Sequence, residues 1–372
     1  MPNTIERIEL ARVSVPFEID GPRNGLRPGL APWTRMEALI VRVHFRDGAC
    51  GWGEAFGHFS NAGTAAILEN LVAPWFIGKD GSAIATVMDQ AERAFYGFGR
   101  NGPVRYALSA IDIALWDVAA QRAGLPLYRL LGGNRQEIQR YASFARYGGD
   151  TDVVAANTAK AAEAGFAMIK LHESTLPAFL AARAAAGDRA RVALDVNCPW
   201  TVEEARTMAR RIAAEDFEWL EEPVWPPEDY DGMARLRQEG VPIAAGENVT
   251  TLHDFKRLFE ARAVDVVQPS VIKAGGITAM RKVYALAESY TVRVAPHCYF
   301  WGPGYLATAH LIAADPRSML LETPYITLQA PAVNPAFDAR SGKMTLPSVP
   351  GLGFVPDEAA LARHTVWSAV VA

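Results

Sequence analysis

Seven residues able to bind a cation or move a proton recur along the chain at a nearly constant step. They are Lys170, Asp195, Glu221, Glu247, Lys273, His297 and Glu322, at intervals of 25, 26, 26, 26, 24 and 25 residues. Six of them end a short apolar run or stand just beyond it: AMIK, RVALD, FEWLE, VPIAAGE, VRVAPH and SMLLE. A strand of about five to seven residues, a helix and two loops use that much chain. Repeated units of this size close into a parallel (β/α) barrel, whose reactive groups gather at the C-terminal strand ends. The rhythm therefore predicts both an α/β barrel and the position of its active site.

At 372 residues the chain has room for a barrel and an accessory domain. Half of its residues are hydrophobic, enough for a large core. A net charge of −4 argues against a nucleic-acid partner. The first ten residues, MPNTIERIEL, show no signal-peptide pattern, and no run of about 18 apolar residues suggests a membrane span. Cys50, Cys198 and Cys298 are isolated and lack metal-ligand spacing. A cytoplasmic enzyme with buried, reduced thiols is the expectation.

The N-terminal part has another character. Residues 5–17 and 36–45 read as strands, and Asp47-Gly48 turns the second into GWGEAF, so an antiparallel meander is predicted. The segment 20–32, rich in Gly, Pro and Arg, reads as a functional loop. A helix is predicted over 104–123, ended by Gly124 and Pro126. EIQRYAS (137–143) opens the barrel. The expected division is a capping domain over 1–134, a barrel over 135–345, and a segment over 346–372 that returns to the capping domain.

Asp195, Glu221 and Glu247 end successive strands, so their carboxylates converge. Like charges so close raise one another's pKa unless a cation compensates them. Three oxygen donors without thiolate or imidazole suit Mg2+. Glu221 is preferred to Glu222 because it keeps the step on both sides. Alternation puts Met168, Lys170 and His172 on one face of the second strand, Ala245 and Glu247 on one face of the fifth. Lys170 or His172 is a candidate base and His297 faces them from another strand. Glu322 could hold or protonate an oxyanion if its pKa is raised. Lys273 either assists substrate charge or contacts a metal ligand. Asn197 shares the face of Asp195. A divalent cation beside two sets of acid/base groups suits removal of a proton α to a carboxylate.

The motifs GWGEAF, SAIDIALWDVAAQRAGLPLYRLLGG (109–133), IKLH, LDVN, WLEEP, GE (246–247), QPSVIKAGGIT and APH resemble the enolase superfamily, mandelate racemase subgroup, along nearly the whole chain. The resemblance implies a (β/α)7β TIM-like barrel under an N-terminal α+β capping domain. It implies Mg2+ on Asp195, Glu221 and Glu247, an acid-sugar substrate and a homo-oligomer. Two positions depart from the subgroup: His172 stands where a second lysine is usual, and Ser270 replaces the aspartate that pairs with the histidine of the seventh strand. These changes favour β-elimination, with a cycloisomerase or a racemase/epimerase as alternatives. They also motivate the contrary reading of a catalytically silent barrel. Specificity is expected from capping-domain loops, with Arg23 and Arg27 gripping a distal carboxylate and His58 bonding hydroxyls. Tyr299 and Trp301 are expected to line the pocket, with packing behind it as the alternative, and Trp301 joins Asn197, Lys273, Arg23 and His58 as a substrate-binding candidate.

Overall fold

The computed structural model describes residues 2–25, 27 and 29–372, so Leu26 and Pro28 of the 20–32 loop lie outside the described residues. Strands β1 (Ile5–Glu18), β2 (Arg35–Phe45) and β3 (Cys50–Ala55) form the expected antiparallel meander. The run ALIV in β2 is continuously apolar because both sheet faces are covered. Leu39, Val41 and Val43 enter a core with the helices Ile84–Phe95 and Pro103–Arg122, whereas Met36, Ala38 and Ile40 enter the core shared with the barrel. The sheet thus ties the two halves of the molecule together through burial of both its faces.

The barrel strands are β4 (Glu137–Ser143), β5 (Met168–Leu171), β6 (Arg191–Asp195), β7 (Leu220–Glu221), β8 (Ile243–Ala245), β9 (Val266–Val267), β10 (Arg293–Val294) and β11 (Leu321–Pro324). They pair in parallel in the order β10-β9-β8-β7-β6-β5-β4-β11, and a parallel bridge between Val294 and Ser318 spans the gap from β10 to β11. A helix follows each of the first seven, from Thr151–Glu163 to Pro303–Ala314, as a (β/α)7β barrel requires. Several strands are shorter than the spacing suggests: β9 ends at Val267 and β10 at Val294, so Ser270 and His297 stand on extensions past the ladder. Strand β12 (Thr327–Leu328) pairs with β1, β13 (Lys343–Thr345) with β4, and β14 (Thr365–Val371) returns to β1. No helix is long and apolar enough to cross a membrane among the described residues.

The barrel interior is filled from below. Tyr141, Met168, Ala193, Ala244 and Val266 of β4, β5, β6, β8 and β9, with Trp219 just before β7 and Ala295 just after β10, form a buried cluster. The next inward positions, two residues on, are polar: Ser143, Lys170, Asp195 and Glu221. Strand β8 departs from the predicted alternation, since Ala244 joins the inner cluster and Ala245 the outer core. Glu247 nevertheless reaches the inside, because Gly246 adopts φ 127 and breaks the two-residue period. A Cβ there would lie 3.1 Å from both the Gln268 nitrogen and a Val267 methyl. Gly246→Ala should therefore lose about 1–3 kcal/mol of stability, the usual cost of such backbone strain, measured by equilibrium urea unfolding. Unchanged stability would contradict this account of how Glu247 enters the site.

Candidate active site

Lys170 lies fully buried on β5 at the centre of the polar layer. Its Nζ is 3.2 Å from Asp195 Oδ2, 2.9 Å from Glu221 Oε1 and 2.9 Å from Glu322 Oε1. Burial alone would lower its pKa, but Glu221, Glu322 and Asp195 outweigh it and hold the ammonium charged, well above the usual lysine range. Glu322 also accepts from Ser143 Oγ at 2.7 Å and the Cys298 N–H at 2.6 Å. Burial pushes its pKa up, yet Lys170, His297 and that N–H together bring it below the usual value. The raised carboxyl that would let Glu322 protonate an oxyanion is thus not what the structure contains: Glu322 is a sealed counter-ion of Lys170.

Asp195, Glu221 and Glu247 each offer one oxygen, and these oxygens lie within 4.8 Å of one another in a buried cluster. Trp219 Nε1 donates to Glu221 Oε2 at 3.0 Å, and Asn197 Nδ2 to Asp195 Oδ1 at 2.5 Å, so residues two positions away along the chain aim both carboxylates. The other oxygens carry cationic or imidazole partners: His172 Nε2 stands 3.1 Å from Asp195 Oδ2, and His297 Nε2 3.2 Å from Glu247 Oε2. Glu221 is pushed far up by burial and by the Asp195 charge, whereas burial of Asp195 is overcome by Lys170 and His172, which hold it down. For Glu247, burial is opposed by His297 and Lys273, leaving its pKa at about 2. Such crowding, with an all-oxygen donor set, fits Mg2+. Glu222 turns away at φ 45; its Oε1 accepts from Asn248 Nδ2 at 3.1 Å, and it is absent from the convergent trio.

Above the trio opens a cavity of about 190 Å³. His172 lines it; Lys170 does not. The His172 Nδ1 faces the Phe144 carbonyl at 2.5 Å, which fixes the ring with Nδ1–H as donor and turns Nε2 to the metal-binding trio, 3.1 Å from Asp195 Oδ2. His297 also lines the cavity, and its Nδ1 is buried without a hydrogen-bond partner among the described residues, as is Ser270 Oγ. The missing carboxylate at position 270 therefore leaves Glu247 to orient His297. Lys273 Nζ contacts Glu247 Oε1 at 3.3 Å and Asn248 Oδ1 at 3.0 Å and lies 4.2 Å over the Phe56 ring.

From the capping side come His58, Phe17, Trp33 and Arg27. Burial, with Lys273 and His297 nearby, lowers the His58 pKa to about 4, so it is a neutral group whose Nε2 meets the Tyr299 carbonyl at 3.2 Å. Arg27 Nη1 donates to the Asn197 carbonyl at 3.2 Å, bringing the 20–32 loop onto the LDVN strand end. Two expectations are not met. Arg23 is exposed and outside the cavity lining; among the described residues Asp20, Asn24 and Arg27, not Arg23, make the loop's polar contacts to the barrel. Trp301 is fully buried behind the wall while Tyr299 lines it. Sequence reasoning missed Arg146 and Asn248, which follow β4 and Glu247; the strand-end rule that selected the others would have found both. Nothing local to Phe17 or Trp33 signals a cavity, since only docking of the two domains creates that wall.

Residues 26–132 match the family described as mandelate racemase / muconate lactonizing enzyme, N-terminal domain, and residues 153–360 the family described as enolase C-terminal domain-like. The chain is 30% identical to the D-galactarolactone cycloisomerase of Agrobacterium fabrum, over 95% of each chain. It is 33% identical to the L-talarate/galactarate dehydratase of Salmonella typhimurium, over 88% of this chain and 83% of that enzyme. The crystal structure of L-talarate dehydratase from Polaromonas sp. JS666, complexed with Mg and L-glucarate, superimposes with a TM-score of 0.85 at 29% identity, covering 99% of both chains. The chain belongs to the enolase superfamily, in its mandelate racemase / muconate lactonizing enzyme group.

Proposed function

We propose that this protein is a Mg2+-dependent acid-sugar dehydratase in which His172 removes the proton α to the substrate carboxylate. The observation that carries this reading is the division of labour on β5. Lys170 is sealed among three carboxylates, while His172, two residues on, lines the cavity with Nε2 beside the metal-binding trio. Mg2+ held by Asp195, Glu221 and Glu247 would supply the positive charge that makes the α-proton removable. Lys273 adds a further cation at the same end of the cavity. The α-C–H bond breaks with its proton going to His172 Nε2, and its electron pair forms the double bond as the C–O bond at the β-carbon breaks. His297 gives a proton to the departing oxygen, and the enol left behind tautomerises to a 2-keto-3-deoxy acid.

The lining carries three cationic side chains, Lys273, Arg27 and Arg146, and Glu247 is the one carboxylate among the lining residues described. An aldaric acid, charged at both ends, suits that arrangement better than an aldonic acid. A second reading keeps the proton step and takes a lactone ring oxygen as leaving group, as the likeness to a galactarolactone cycloisomerase favours.

Two measurements test these readings. In a screen of aldaric acids, aldonic acids and aldarolactones with Mg2+ in D2O, read by proton NMR, a 2-keto-3-deoxy product from an aldaric acid is expected. Product from lactones alone would select the cycloisomerase. Deuterium entering recovered substrate in both configurations would select a racemase, and no turnover of any kind would leave the silent barrel. On the substrate so found, His172→Gln should slow α-proton loss by roughly 10²–10⁴-fold, the usual contribution of a general base, with folding intact by circular dichroism. Retention of more than about a tenth of the rate would remove His172 from that role.

A further inference from the structure

The helix Pro103–Arg122 carries a polar stripe that the chemistry above leaves unused: Arg105, Ser109, Asp112 and Trp116. Steps of 4, 3 and 4 residues place them on one face of the helix. In a largely apolar, buried helix this face needs partners; apart from Glu92 Oε1, 2.6 Å from Arg105 Nη1, and the Arg105 carbonyl, to which Ser109 Oγ donates at 2.8 Å, they come from one barrel segment, Ala274–Thr278. Arg105 Nε and Nη2 donate to the Ala274 carbonyl at 3.0 and 2.7 Å. Ser109 Oγ accepts from the Gly275 N–H at 2.9 Å, Asp112 Oδ1 accepts from the Thr278 N–H at 3.0 Å, and Trp116 Nε1 donates to Thr278 Oγ1 at 2.9 Å. Asp112 thereby caps, from another domain, the first turn of the helix Gly276–Ser289.

The approach is close enough to dictate sequence. A Cβ on Gly275 would lie 2.4 Å from Arg105 Nη2, and one on Gly276 2.3 Å from Asp112 Oδ1; both residues also have positive φ, 104 and 77. Immediately before this gripped segment stands Lys273. Its other side is held by the capping sheet's edge, where the Phe56 N–H bonds the Ile272 carbonyl at 3.3 Å and the Phe56 ring lies under Nζ. Lys273 itself is buried, with 3% exposure, although it lines the cavity.

We propose that Arg105, Ser109, Asp112 and Trp116 are positioning residues for Lys273: the capping domain, through this helix, fixes the barrel ammonium against Glu247 and the cavity. The use of that ammonium on a substrate carboxylate rests on the dehydratase reading; its placement does not. The test is accordingly made without substrate. Each of the seven lysines is followed by mass spectrometry during brief acetylation of the Mg2+-supplemented protein. In Ser109→Ala and Asp112→Ala, labelling of Lys273 should accelerate about tenfold, as expected when roughly one buried hydrogen bond of local stability is lost. The other six lysines should stay within about twofold of wild type. Asp112→Asn, which keeps an oxygen acceptor for the Thr278 N–H, should restore protection. Ser109→Ala removes a single oxygen and keeps the test open if Asp112→Ala does not fold. Unchanged Lys273 labelling in a folded variant, or an equal rise at all lysines, would overturn the proposal.

Discussion

The contact on which the rest of the site depends is the burial of Lys170 among Asp195, Glu221 and Glu322. An anionic trio at the mouth of a closed barrel is costly without compensation, because desolvation and mutual repulsion act in the same direction. Lys170 supplies the compensation from below, and the 2.9 Å contacts to Glu221 and Glu322 leave its ammonium no path to the cavity. One strand and its extension thus separate a sealed cation from a cavity-lining imidazole by two residues, the spacing that puts both on the inner face at different depths. Removing one partner from a buried pair of this kind typically costs about 3–5 kcal/mol. The fixed charge under the trio is therefore a condition of the site's shape as well as of its chemistry.

The second constraint is that neither domain encloses the cavity alone. The barrel provides the titratable groups; the capping domain provides Phe17, Trp33, Phe56, His58 and Arg27. Sheet β1–β3 buries its two faces in two different cores, so the docking of the domains is part of the hydrophobic core itself. The wall that would select a substrate is consequently held by the same burial that holds the fold. Variation in the 20–32 loop can change that wall without disturbing the trio.

Much of this was legible in the sequence because a barrel converts a linear period into a place. The step of about 25 residues identified the strand ends, and alternation paired Trp219 with Glu221 and Lys170 with His172, as the inner cluster and polar layer bear out. Alternation failed at β8, where the positive φ of Gly246 carries Glu247 inward against the period. Which of Lys170 and His172 lines the cavity was not legible, since depth along the barrel axis decides it and spacing does not report depth. Arg23 and Trp301 were misplaced for a related reason. Within an irregular loop, and beyond the last hydrogen-bonded residue of a strand, periodicity no longer says which way a side chain points. The stripe Arg105–Ser109–Asp112–Trp116 lay inside a recognisable motif, yet only the structure reveals that its partners flank Lys273.

The central claim is that the buried trio exists to hold one divalent cation. The most direct measurement is a crystal structure of the full chain grown with Mn2+ and read by anomalous scattering. One peak is predicted, with oxygens of Asp195, Glu221 and Glu247 at about 2.1–2.2 Å, the distance of a small divalent ion with oxygen ligands, and with Glu222 outside the coordination sphere. A peak ligated by Glu222 in place of Glu221, or no peak at millimolar Mn2+ with Asp195, Glu221 and Glu247 still converged, would contradict it.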